Sequence, residues 1–162
     1  MKLALPFAEA LSLATAKTRL PTYVRSVDLV AGTVRAEIAL DALPIRSTAV
    51  RLAAAVAGTV TVTARLVGYT DGVATLAVTA HAWNLPAHKL LPFVLAPVNK
   101  VIRDSGLPDG LVRIESGAAD PLVLIDVQKA VETKVMGVTV TDLQLLESVI
   151  HVDATIGTVV LH

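Results

Sequence analysis

Residues 59–82 alternate apolar and polar side chains regularly enough to fix a strand pairing before the rest of the chain is considered. Val60, Val62, Ala64 and Leu66 share one parity, and Thr59, Thr61, Thr63 and Arg65 the other. On the return, Ala74, Leu76, Val78, Ala80 and Ala82 alternate with Thr75, Thr79, His81 and Trp83. Strand side chains repeat every two residues, so each parity is one face. A two-residue Asp71-Gly72 loop would set Leu66 opposite Ala77 and Val62 opposite His81, mixing the faces. A three-residue loop, Thr70-Asp71-Gly72, pairs Leu66 with Leu76, Ala64 with Val78 and Val62 with Ala80. A slip of one residue turns a strand over, so burial selects the second register. It implies a type I turn with Gly72 left-handed in a bulge.

The dry face of such a hairpin needs a cover, and the next segment is the nearest candidate. Leu90, Leu91, Phe93, Val94, Leu95 and Val98 make it hydrophobic all round. A helix of that kind is either central in a core or buried by something outside the chain. Pro86, Pro92 and Pro97 interrupt it, and an interior Pro costs a helix roughly 3 kcal/mol. Two or three short pieces, or one strongly kinked helix, are therefore expected. Val98, Val101 and Ile102 with Lys100 and Arg103 make its last part amphipathic, and Gly106 and Pro108 end it.

Upstream, residues 6–17 read as a helix, with Phe7, Ala10, Leu11 and Ala14 at helical spacing. The N-terminal residues resemble a signal peptide, but Glu9 breaks the apolar region and only one Lys precedes it. Residues 3–16 are accordingly read as a mature helix and the protein as cytoplasmic. Tyr23, Val27 and Leu29 then alternate with Ser26 and Asp28, and Val34, Ala36, Ile38 and Leu40 with Arg35 and Glu37. A two-residue Ala31-Gly32 loop sets Leu29 opposite Val34, Val27 opposite Ala36 and Asp28 opposite Arg35. Residues 42–58 carry two readings. Ser47 as N-cap and Gly58 beyond the end suit a helix, whereas Val50, Leu52, Ala54 and Val56 alternate as a strand would.

Downstream, residues 111–115 form a short strand. Asp120-Pro121 reads as N-cap and first helical residue, with Leu124, Val127, Val131 and Val135 as the buried stripe up to Gly137. In the last hairpin Ile150, Val152, Ala154 and Ile156 hold one parity, but Val138 and Val140 are even while Leu143 and Leu145 are odd. One extra residue at Thr141-Asp142 restores a single apolar face, so a β-bulge is predicted there. Together these elements predict an α+β fold in a single domain, residues 1–162. A curved antiparallel meander packs against an N-terminal helix and a Pro-kinked apolar helix.

Its core must be aliphatic, because hydrophobic residues make up 54% of the chain and aromatics only 3%. Charged residues are 17%, against about 25% in an average soluble domain. A surface so poor in charge has three explanations: a partner subunit, a lipid or other apolar ligand, or exposed Ala. Fourteen basic residues balance 14 acidic ones, so no global field favours nucleic acid or anionic lipid. Without Cys there is no disulfide, thiolate chemistry or zinc-cysteine site. Apolar runs fall short of the roughly 18 residues that span a bilayer. No transmembrane segment is expected, while peripheral membrane contact stays compatible.

Little in the chain points to catalysis. His81 and His88 are seven apart, not the spacing of a metal pair, and His81 reads as a surface residue beside Trp83. His151 near Asp153 reads as a solvated strand residue. Asp104, Glu115 and Asp126 flank turns and read as caps, and Arg46, Arg51 and Arg65 as solvated basic residues. G-x-S-x-G, G-x-x-x-x-G-K, G-x-G-x-x-G and H-E-x-x-H are all absent. The expectation is a protein that is not an enzyme and uses no metal and no cofactor.

The order of helix, antiparallel meander, kinked apolar helix, then helix and hairpin resembles the TULIP-like superfamily of lipid-binding domains, which includes small bacterial members. Residues 24–40, 59–83 and 85–105 carry the resemblance. It implies a strongly curved sheet around a long helix, with an apolar groove for acyl chains and no catalytic residues. The expected function is non-enzymatic binding of a lipid or other apolar ligand in a cleft between sheet and helix. Leu90, Phe93, Val94, Pro97 and Val101 on the helix would face Leu66, Leu76 and Val78 on the sheet. The alternative is a structural or assembly module that uses the same apolar surface as a homo-oligomer interface.

Overall fold

Two antiparallel sheets divide the strands of the protein, in a computed structural model that describes residues 1–43, 48–81 and 87–161. The chain starts with strand β1 (Lys2–Pro6) and helix α1 (Phe7–Thr15), then a hairpin of β2 (Val24–Val30) and β3 (Thr33–Ala39). A 3-10 turn (Leu40–Ala42) and helix α2 (Thr48–Ala57) lead into β4 (Thr59–Thr70) and β5 (Val73–His81). Helix α3 (Ala87–Asp104), strands β6 (Val112–Glu115) and β7 (Leu122–Asp126), and helix α4 (Val127–Lys134) follow. The closing hairpin is β8 (Val135–Leu146) and β9 (Val149–Leu161). The larger sheet has the order β2-β3-β4-β5-β7-β6, the smaller β1-β9-β8. The fold is α+β.

Both early hairpins take the register that their parity dictates. Leu29 faces Val34, Val27 faces Ala36, and Asp28 faces Arg35. Leu66 faces Leu76, Ala64 faces Val78, and Val62 faces Ala80. The second register is reached by a different route from the one expected. Its loop has two residues, Asp71 and Gly72, both at positive φ (51° and 83°) as a type I′ turn needs. The odd residue sits instead within β4, in a bulge between Leu66 and Gly68. A type I′ turn follows the twist of its strands where a type I turn would splay them, so the strand absorbs the extra residue. In the closing hairpin the register shifts between Val140 and Asp142, where the parity breaks, and again between Met136 and Val138.

Three segments differ from, or decide between, the expectations. Residues 3–5 are strand, not helix: β1 pairs with β9 from Lys2–Asp153 to Pro6–Val149, and α1 starts only after Pro6. Residues 42–58 resolve to the helical reading, with α2 over Thr48–Ala57 and Gly58 beyond it at φ 67°; Ser47 lies outside the described residues. The helix expected from Asp120 does not form there. Pro121 instead offers its carbonyl to the Val78 N–H at 3.0 Å, and β7 runs between β5 and β6. Leu122, Val123, Leu124 and Ile125 leave no polar side for a surface helix and suit a strand covered on both faces. The helix is the shorter α4, capped by the Asp126 carboxylate, which accepts from the Lys129 N–H at 3.0 Å. Of the expected stripe, Val127 and Val131 lie in α4, Leu124 in β7 and Val135 in β8.

The main core lies on the dry face of the larger sheet. Ile38, Val60, Val62, Val78 and Val123 form one buried cluster with Leu40 and Leu43, and Leu91 of α3 joins it. The smaller sheet is held to this body where the Gly32 N–H donates to the Glu147 carbonyl at 3.0 Å, and again at Gln128. Its N–H donates to the Gly72 carbonyl at 3.0 Å. Its side-chain Nε2 donates to the Val138 carbonyl at 3.0 Å, and its Oε1 accepts from the Val140 N–H at 2.8 Å. Nothing larger than hydrogen fits at Gly72, where a Cβ would lie 2.5 Å from Gln128 Cβ. Tyr69 adds a bond from its hydroxyl to the Val140 carbonyl at 3.3 Å. Burial, and then the negative charges of Asp126 and Asp142, push the Tyr69 phenol pKa up.

Truncating this joint leaves a half-buried N–H and C=O of β8 unpaired. Gln128→Ala is expected to cost about 1–3 kcal/mol, measured as a lower midpoint in urea denaturation; an unchanged midpoint would mean the joint contributes nothing.

Candidate functional site

α3 passes both interior prolines as one helix of 18 residues, rather than as separate pieces. Pro92 and Pro97 cannot donate to the carbonyls four residues back, at about 3 kcal/mol or more each. Tertiary burial offsets that cost. α3 packs on β5, Leu91 is buried in the core, and Leu95 packs against the same cluster one turn on. The helix is not buried all round, because Ala96 and Val98 are exposed.

Its C-terminal end is firmly tied. The N–H of Gly106, at φ 69°, donates to Arg103 and that of Leu107 to Ile102, a Schellman closure. Lys134 of α4 donates to the Ser105 carbonyl at 2.8 Å. The Asp104 carboxylate accepts from Lys100 at 2.6 Å and from the buried Thr18 at 2.8 Å. Those two hydrogen bonds, with the charges of Lys100 and Arg103, hold the Asp104 pKa below its usual value.

Against this frame the expected ligand residues fall into three groups. Val78 is buried in the core cluster beside Leu91. Leu66 and Leu76 are directly opposite on β4 and β5 and half-buried, and Val101 is half-buried on α3. Leu90, Phe93, Val94 and Pro97 belong to α3, but their side chains lie outside those described. The reading of His81 beside Trp83 lies there too. Sequence reasoning missed Val123 and Ile125, which continue the dry face on β7, because it had placed the chain from Pro121 up to Gly137 in a helix. The unbroken apolar run at Leu122 was the available signal.

The smaller sheet has a separate depression of about 220 Å³, of mixed polar and apolar character. Lys2, Asp142, Gln144, His151 and Asp153 line it with Leu3, Ala4 and Leu146. Asp142 and Asp153 stand directly opposite one another, as do Gln144 and His151. Gln144 donates to Asp142 at 2.7 Å, and Lys2 lies 3.7 Å from Asp153. His151 is half-buried here rather than fully solvated. Among the described residues no group of three or more His, Asp or Glu side chains is arranged to hold a metal ion.

No family model, curated protein or solved structure matches the chain. Its function has to be read from its own geometry.

The Asp104 tie has a pH signature. Folding lowers the carboxyl pKa, so its contribution is present above the unfolded pKa and is lost as pH falls through the folded value. Thr18→Val removes one donor, and the Asp104 midpoint in an NMR titration is expected to move up toward the ordinary carboxylate range. A midpoint that stays in place would rule out the Thr18 bond as a cause.

Proposed function

We propose that the domain binds a lipid or another apolar molecule between the larger sheet and α3, without covalent chemistry, in an arrangement of the TULIP-like kind. The observation that carries this reading is the uneven cover of the dry face. Val60, Val62, Val78 and Val123 are buried in one cluster with Leu91. Two residues beyond Val78, the Leu66–Leu76 pair is only half-buried. Ile114, opposite Val123 on the edge strand β6, is 43% exposed, and Val98 on α3 is 39% exposed. Apolar surface left in water costs about 25 cal/mol per Å², and an acyl chain lying along it recovers part of that.

The same exposed Val98 and Ile114 favour a second reading, a self-association surface. Sedimentation velocity separates the two, since a particle that stays monomeric at every concentration has no such interface. For the ligand reading, native mass spectrometry with added phospholipid or fatty acid is expected to show lipid-bound protein. Leu76→Glu places a charge on the half-open strip and is expected to weaken that binding roughly tenfold or more. Spectra that stay ligand-free at every lipid concentration would overturn the proposal.

A further inference from the structure

We infer that the free edge of β6 pairs with the β6 edge of a second copy of the chain, joining two larger sheets across a two-fold axis at Ile114. β6 is the last strand in the order β2-β3-β4-β5-β7-β6. The Asp126 N–H donates to the Leu111 carbonyl at 2.8 Å, so Leu111 turns its backbone toward β7. Residues of an antiparallel strand alternate in this respect, and Val112 and Ile114 therefore turn their N–H and C=O groups outward. Arg113, Ile114 and Glu115 are all exposed. Among the described residues, neither Arg113 nor Glu115 has an ion-pair partner.

Charge and symmetry select the occupant. A bilayer has no backbone groups to offer an open edge, and among the described residues no helix is long and apolar enough to cross one. Across a two-fold axis perpendicular to the sheet, Ile114 meets Ile114 of the second copy, and the two exchange both backbone hydrogen bonds. The same register sets Arg113 opposite Glu115 of the second copy, and Glu115 opposite its Arg113. These are non-hydrogen-bonded positions, where Cα atoms come within about 4.5 Å and opposite charges stabilise the pair. The other edges do not offer this. On β1 the outward positions, counted from the bonded pair Met1 and Ala154, include Pro6, which has no N–H to donate. On β2 a bulge interrupts the edge between Val24 and Ser26. Its Arg25 and Asp28 are an odd number of residues apart, whereas a two-fold register pairs residues an even number apart. The outer edge of β8 is met by Gln128 and Tyr69. Leu66, Leu76, Val123 and Ile114 stand in one row across β4, β5, β7 and β6. The two-fold axis keeps both dry faces on one side, so the two rows meet end to end at Ile114. The pairing rests on the self-association reading and not on the ligand reading.

Sedimentation velocity of the full chain over a range of protein concentrations tests this. A reversible monomer–dimer equilibrium is expected, weak because β6 has only four residues. Arg113→Glu turns both attractive pairs into repulsive ones and should weaken the dimer roughly tenfold, and Glu115→Arg should do the same. Combining the two exchanges the charges and should restore the dimer. Ile114→Lys sets two ammonium groups at the axis and should abolish it. Circular dichroism checks that these exposed substitutions leave the fold intact. A protein that stays monomeric at every concentration overturns the pairing and the self-association reading together. A dimer that none of the single substitutions weakens, or that the double variant fails to restore, overturns the β6 register alone. Lipid uptake by a strict monomer would overturn the pairing and leave the cleft; a dimer sensitive to these substitutions that takes up no lipid would overturn the cleft alone.

Discussion

The side-chain amide of Gln128 is one of the joints that fix the two sheets to each other, with the Tyr69 hydroxyl on the Val140 carbonyl and the Gly32 N–H on the Glu147 carbonyl at 3.0 Å. β8 has β9 on one side only, so its other edge would present unpaired backbone groups. Gln128 meets that edge as a one-residue strand would, with one donor to Val138 and one acceptor for Val140. To reach it, α4 must begin where β7 ends, and the Asp126 cap sets that starting point. The backbone of Gln128 must also pass against the β4–β5 turn, which only a residue without a side chain permits at Gly72. A local turn type, a helix cap and a long-range sheet contact are thus one constraint seen at three scales.

The hairpins were legible because parity and turn length are both written locally. Leu66 had to face Leu76 whichever residue was surplus, and the strand parity fixed the outcome before the bulge was located. The break between Val140 and Leu143 was legible for the same reason. β7 was not. Asp120-Pro121 is a sound helix start on local grounds, but the competing strand is stabilised by β5 and β6, whose positions no local pattern contains. α2 stood between two patterns, and its end at Gly58 agrees with the helical one. Of the candidate site, the sheet half could be read from alternation. The helix half could be placed but not shaped, because the cost of Pro92 and Pro97 is decided by what Leu91 and Leu95 bury.

The sparse charge of the chain takes on a definite geography in the fold. The aliphatic core consumes much of the hydrophobic excess, as Ile38, Leu40, Val60 and Leu91 illustrate. What remains outside is spread over many elements: Leu13 on α1, Val30 on β2, Leu52 and Val56 on α2, Val67 on β4, Val98 on α3, Ile114 on β6, Met136 and Leu146 on β8 and Ile156 on β9 are all exposed. The charged side chains Asp142, Asp153 and Lys2 gather with His151 in the depression on the smaller sheet, beside Leu3 and Leu146.

The pairing of β1 with β9 also bears on how the chain acquires its structure. The Met1 nitrogen donates to the Ala154 carbonyl, 153 residues away, and Lys2 to Pro6 pair along β9. Loop closure of that length is slow and waits on β9. The larger sheet, whose strands all lie between Val24 and Asp126, has every partner available before β9 is made. β1 thus precedes the larger sheet in sequence yet finds its partner only after that sheet can be complete.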